Sequence, residues 1–256
     1  MREAVPTFAG PAQTKPALLT AHKLRLTAES PTVDLDLHAG QIVGLAGLEG
    51  HGQERFLQVL AGVRTSAAGQ VLAGERAITS AGTALAAGIA YLPRDRKTQG
   101  IFPTLSILDN FAIPSLRRFS RAGWLDRRRM RDHFASYCDH LGIVAASSDA
   151  PIVSLSGGNQ QKVILARWLA AEPAVLLLND ATRGVDLHTR RSLYEVFRTF
   201  VAEGGCVVLL STEIEELLEV ADRIVVFRED GISAELGGAD VQEQHVLAAM
   251  FGQVSR

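Results

Sequence analysis

Apolar residues along this chain follow two kinds of pattern. Residues 42–46 (IVGLA), 175–178, 206–210 and 224–227 are short unbroken runs rich in branched side chains, as expected of strands buried on both faces of a parallel sheet. Leu193, Val196, Phe197, Phe200 and Val201 recur instead at the i, i+3, i+4, i+7, i+8 spacing of an amphipathic helix. Buried strands alternating with helices predict an α/β fold with a largely parallel sheet. Residues 18–27 and 33–37 read as earlier strands, the second alternating apolar and acidic residues like a half-exposed strand.

Residues 101–154 break this alternation. Residues 126–141 read as a helix and no strong buried strand accompanies them, so about 101–165 is expected to form a helical subdomain inserted in the α/β core. Residues 1–16 carry Pro6, Pro11 and Pro16 among small and polar neighbours and read as a linker. The folded domain is then 17–256. Trp124 and Trp168 read as core anchors, and the histidines show no metal-ligand spacing.

Composition narrows the function classes. With 256 residues, 47% hydrophobic and 21% charged, the chain has the makeup of a soluble globular protein. A formal net charge of −2 argues against nucleic acid as the main partner. Cys138 and Cys206 are too few for a disulfide framework and read as core thiols of a reducing compartment. No apolar stretch reaches the roughly 18–20 residues of a membrane span, and the first residues lack a signal-peptide centre. A cytosolic protein is expected.

Candidate chemistry begins where the run IVGLA enters Gly47-Leu48-Glu49-Gly50-His51-Gly52-Gln53-Glu54, followed by the helical pattern of Phe56, Leu57, Val59 and Leu60. Strand, glycine-rich loop and helix are the context in which backbone N–H groups and a helix N-terminus cradle phosphates. The glycines fit a P-loop, but Gln53 stands where lysine reaches the β and γ phosphates, and Glu54 where a hydroxyl holds Mg²⁺. Losing a charge-assisted hydrogen bond of about 1.5–3 kcal/mol, with a carboxylate beside the phosphates, predicts affinity lower by on the order of a hundredfold or more.

A second motif, Leu155-Ser156-Gly157-Gly158-Asn159-Gln160-Gln161-Lys162, precedes a helix apolar nearly all round. Ser156 is an N-cap candidate, and two glycines leave the backbone open to an anion. Here the chain resembles the ATP-binding cassette family, whose signature is LSGG before a glutamine-bearing helix. LSGGNQQK is similar to ATP-binding subunits of sugar and nucleoside importers.

The resemblance runs from about 17 to 252. Residues 91–97 (YLPRDRK) are similar to the family's Q-loop region, with Arg94 at the glutamine position. Residues 176–186 resemble the Walker B strand and D-loop, and 209–213 the switch loop. It implies a P-loop core with an N-terminal antiparallel β portion.

Several chemical roles depart from the family. Asn179 and Asp180 stand where an aspartate holds Mg²⁺ and a glutamate polarises the attacking water, and Thr212 replaces the switch histidine. Ser156, Gly157, Gly158 and Gln160 of the signature and Asp186 of the D-loop are kept. Cassettes of this family pair head to tail, so the resemblance implies that this domain completes the site of a partner cassette, where ATP and Mg²⁺ bind, while its own site is inactive or weak.

The pattern is similar to the second, C-terminal cassette of tandem sugar-importer subunits. That implies a further cassette upstream of Met1, a transmembrane permease docked on residues about 94–116, and a peripheral place on the inner face of the cell membrane. Two alternatives remain at this point: an active ATPase with Glu54 or Asp180 binding the metal, or a regulatory protein of the same fold. Seven arginines among 117, 118, 121, 127, 128, 129 and 131 read first as a solvated face and second as a contact for lipid head groups.

Overall fold

The four unbroken apolar runs form the inner strands of one sheet in the computed structural model, which describes residues 16–121 and 123–253. In chain order the first elements are β1 (Ala17–Arg25), β2 (Thr32–His38), β3 (Gln41–Gly47), α1 (Gln53–Leu60), β4 (Ala68–Ala73), β5 (Arg76–Ala77), α2 (Ala81–Ala86) and β6 (Ile89–Leu92). Then come α3 (Ile107–Ala112), α4 (Leu116–Phe119), a short hairpin of β7 (Ser120–Arg121) and β8 (Trp124–Leu125), α5 (Arg127–Leu141) and α6 (Gly157–Leu169). The chain finishes with β9 (Val175–Asn179), α7 (Leu187–Ala202), β10 (Cys206–Leu210), α8 (Ile214–Val220), β11 (Arg223–Arg228), β12 (Gly231–Gly237) and α9 (Glu243–Met250).

The six-stranded sheet has the order β12-β11-β3-β10-β9-β6. Its middle is parallel: β10 pairs with β3 and β9, and β3 pairs with β11, while β12 returns antiparallel. Leu210 faces Leu45 on one side and Asn179 on the other. The carboxyl ends of β3, β9 and β10 therefore lie on one edge, beside the point where strand order turns back, which is where open α/β sheets place ligands. A second sheet, β2-β1-β4-β5, is antiparallel. In β2, Val33, Leu35 and Leu37 point inward and the acids between them outward, as the alternation predicts.

These sheets belong to a unit made of residues 16–91, 174–180 and 197–253. Its core is aliphatic, with Phe56 and Phe227 in tilted contact at 5.1 Å between centroids. Burying each such ring stabilises the fold by about 1.5–3 kcal/mol. The other unit, residues 92–173 and 181–196, is helical and centres on Phe111, which packs against Phe134 at 5.1 Å and Tyr137 at 5.5 Å. Arg167 of α6 is buried there. It donates to the carbonyls of Asn110 (2.6 Å) and Gly100 (2.5 Å), and burial lowers its pKa to about 10.

Some expectations are corrected. Trp124 is no core anchor: it sits on the β7–β8 hairpin with 83% of its surface exposed, because so short a hairpin has no second layer to cover it. Trp168 and Cys138 are only half-buried, whereas Cys206 is fully buried. In residues 101–111, Ile101, Ile107, Leu108 and Phe111 are core, but Phe102 and Leu105 stay exposed. Arg127 and Arg131 pair with Asp149, Arg127 also with Asp109, and Arg118 with Glu172. The predicted linker lies outside the described residues except for Pro16.

Candidate functional site

The glycine-rich turn links β3 to α1. Gly50 and Gly52 take φ of 85° and 102°, a region that favours glycine because it has no Cβ. At Gly52 a Cβ would fall 2.7 Å from the Asp230 Cα, so no larger residue fits. Gln53, the first residue of α1, is buried and folds back on the turn. Its Nε2 donates to the carbonyl oxygens of Gly47 (3.1 Å) and Leu48 (2.9 Å), and its Oε1 is buried without a hydrogen-bond partner.

One residue further, Glu54 meets the end of β9. Asn179, wholly buried, donates from Nδ2 to Glu54 Oε1 at 3.0 Å and to the Tyr91 hydroxyl at 3.4 Å, and its Oδ1 has no partner. Burial raises the Tyr91 pKa; the Asn179 bond opposes that shift and the Glu54 charge adds to it. Asp180 follows in the left-handed region, with φ of 49°. Its Oδ1 accepts from the Thr212 N–H at 3.0 Å and the Thr212 hydroxyl at 3.3 Å. All of these residues belong to the sheet-bearing unit.

The helical unit holds the other group. Ser156 is exposed and caps α6, its Oγ accepting from the Asn159 N–H at 3.4 Å and from Asn159 Nδ2 at 3.1 Å. Gln160 is buried and donates to the carbonyls of Leu155 (3.1 Å) and Ile152 (3.4 Å), which fixes the approach to the helix. A Cβ at Gly158 would meet nothing closer than Thr189 Oγ1 at 3.5 Å, while one at Gly157 would lie 2.6 Å from Arg96 Nη2. Asp186 holds the Thr189 N–H at 3.0 Å and its hydroxyl at 2.8 Å, and these bonds lower its pKa. Arg94 is half-buried just after β6.

All the predicted residues except Arg94, which lies just after β6, fall into one of two groups. Gly47, Gly50, Gly52, Gln53, Glu54, Asn179, Asp180 and Thr212 gather at the sheet edge. Ser156, Gly157, Gly158 and Asp186 line the turn before α6 and the loop before α7, while the Gln160 side chain turns inward. Sequence reasoning missed Tyr91 and Arg96, although both lie in the string YLPRDRK. Neither has a spacing of its own that marks it, because their neighbours come from β9 and from the loops at 157 and 183.

Comparison with known proteins gives these groups a context. Ribose import ATP-binding protein RbsA 2 of Rubrobacter xylanophilus is 38% identical over 237 residues, which is 92% of this chain and 46% of that protein. RbsA 1 of Mesorhizobium japonicum is 35% identical over 250 residues, 96% of this chain and 47% of its own. The chain spans about half the length of these relatives. In structure it is similar to a nucleotide-free ATP-binding cassette from an ABC transporter, with a TM-score of 0.74 at 17% identity, covering 91% of this chain and 96% of that one. It also resembles a dimeric ATP-binding cassette in a post-hydrolysis state bound to ADP and Pi, with a TM-score of 0.72 at 18% identity, 86% of this chain and 98% of that one being covered. The family model described as ABC transporter matches residues 31–183, more than half of the sequence, and the chain belongs to that family.

Proposed function

We propose that this cassette works in a carbohydrate importer as the half that completes a partner's ATP site and does not turn over ATP in its own. The observation that carries the reading is the 3.0 Å bond between Glu54 and Asn179. Those are the positions at which a working cassette holds Mg²⁺ between a hydroxyl and a carboxylate. Here a carboxylate and an amide hold each other, and the amide oxygen left over is a poor Mg²⁺ ligand.

The rest of this pocket agrees. The Gln53 amide is turned onto the turn's own carbonyls, where it offers no cation to a triphosphate. Asp180 is tied to Thr212, so the candidate base and the switch position occupy each other. The residues present do not fit Mg-ATP. Around Ser156, Gly157 and Gly158, in contrast, the turn is exposed or half-exposed, and the Ser156 hydroxyl is engaged only by its own helix, through Asn159.

The signature then serves ATP and Mg²⁺ held by a second cassette; the chain spans about half the length of the RbsA proteins, and the altered pocket residues Gln53, Glu54, Asn179 and Thr212 are what support placing it as the C-terminal half of a tandem subunit. Exposed Phe102 and Leu105 support docking of a permease on residues 94–116, which would put the subunit on the inner membrane face. The names of the relatives favour a ribose-like sugar. Calorimetric titration of the isolated chain with Mg-ATP tests the reading: no binding at micromolar nucleotide is expected. An ordered triphosphate and magnesium wrapped by residues 47–54 in crystals would overturn it.

A further inference from the structure

We propose that Arg96 acts with the signature turn as a phosphate-binding donor, reaching the terminal phosphate of the nucleotide held by the partner cassette. This rests on the preceding reading of the signature as working in trans. The guanidinium lies against the start of α6, where only the missing Cβ of Gly157 lets it approach: Nη2 is 2.6 Å from where that atom would be. Nη1 donates to the Arg183 carbonyl at 3.1 Å. Nε is buried with no hydrogen-bond partner.

A cation in this place is unfavourable by itself. The N-terminus of a helix carries partial positive charge, which stabilises anions and repels cations within the first turn. Among the described residues no carboxylate pairs with Arg96 or with the exposed Arg183. The acids nearest in sequence are spent locally: Asp95 accepts from Lys97 N–H (3.0 Å), Thr98 N–H (3.3 Å) and the Thr98 hydroxyl (2.7 Å), and Asp186 caps its own helix through Thr189.

An arginine kept at a positive helix end without an acid is balanced once an anion arrives from outside. A terminal phosphate seated on Ser156, Gly157 and Gly158 is such an anion, and a planar guanidinium suits two of its oxygens. The charge that spreads over those oxygens during transfer makes the contact stronger at the transition state than in the bound substrate. Arg96 forms and breaks no covalent bond.

The test uses the importer assembled from this chain, its partner cassette and the permease, with ATPase turnover and ADP affinity as readouts. Arg96→Gln keeps one donor for the Arg183 carbonyl but drops the charge; Arg96→Lys keeps a charge. We expect Arg96→Gln to lower kcat by about tenfold to a hundredfold, Arg96→Lys to recover most of it, and ADP affinity, which needs no terminal phosphate, to stay unchanged. Wild-type turnover in Arg96→Gln, equal loss in both variants, or a parallel loss of ADP affinity would each overturn the inference and leave Arg96 a spacer for the loop at 183. Gly158→Asp separates this from the parent reading: if that variant turns over normally, the signature does not act in trans and both fall.

Discussion

The P-loop remnant and the signature turn share one device, a helix N-terminus approached through glycines, and they differ in where the surrounding polar groups point. At the remnant, Gln53 folds onto the turn, Glu54 holds Asn179, and Asp180 holds Thr212. At the signature, Ser156 caps its helix while its face stays open, and a cation stands beside it without a counter-ion. If the proposed function holds, the glycine pattern alone does not make a phosphate site. On the proposed reading, what decides is the sign of what is left over at the rim: unpartnered buried oxygens of Gln53 and Asn179 at the remnant, which oppose a phosphate, against a guanidinium at the signature.

The largest effect should come from spoiling the open turn. Gly158→Asp adds a Cβ that meets only ordinary contacts, so the domain should fold, but the new carboxylate would oppose a phosphate. Turnover of the assembled importer should fall by on the order of a hundredfold to a thousandfold, the range seen when one stabilising donor is lost. An unchanged rate would erase the contrast between the two turns.

The converse change should sharpen it. Gln53→Lys, Glu54→Thr and Asn179→Asp together rebuild the cation and the metal ligands at the closed turn. Affinity of the isolated chain for Mg-ATP should rise by on the order of a hundredfold, read by calorimetry. A triple variant that binds no better would mean that the backbone of the turn, and not these side chains, excludes the nucleotide.

Much of this contrast was legible in sequence, and the reasons are local. Residues 42–46 and 206–210 became inner strands because an unbroken branched run has no face to offer water, and of the motif loops those after Gly47, Leu92, Asn179 and Leu210 lie at strand ends while the signature precedes α6. What was hidden depended on register between distant segments. The Glu54–Asn179 bond spans 125 positions and the Arg96 contact with Arg183 spans 87. Gln160 looked like part of the signature, yet helical geometry turns it toward the Leu155 carbonyl. Strands β4, β6 and β12 escaped notice because glycine, alanine and polar residues blur their periodicity.

A smaller effect measures how firmly the closed turn is closed. Asn179→Ala should destabilise the fold by about 1–3 kcal/mol, since it leaves a buried site without its amide. A cycle with Glu54→Ala should give a coupling energy of about 1 kcal/mol between the two, from urea midpoints. Additive losses would show that the two side chains do not depend on each other, and the reading that their bond closes the metal position would fail.

The smallest effect separates the two units by pH. In the helical unit, His133 lies against Phe111, Phe119 and Tyr137; burial and the nearby Arg118 and Arg129 lower its pKa. A depressed folded pKa means that its contribution is complete above the unfolded value near 6.5 and is lost as pH falls through the folded one. In the other unit Tyr91 is raised above 10, chiefly by burial, so its contribution is complete below 10 and is lost as pH climbs through the higher folded value. Acid should therefore loosen the unit that carries the signature, and alkali the one that carries the closed turn. His133→Phe should reduce the drop in Tm between pH 7 and pH 5 by about a degree or two while leaving the alkaline limb unchanged, and Tyr91→Phe should do the reverse. If either substitution shifted both limbs equally, the titrations would not be confined to separate units, and the comparison would lose its last independent support.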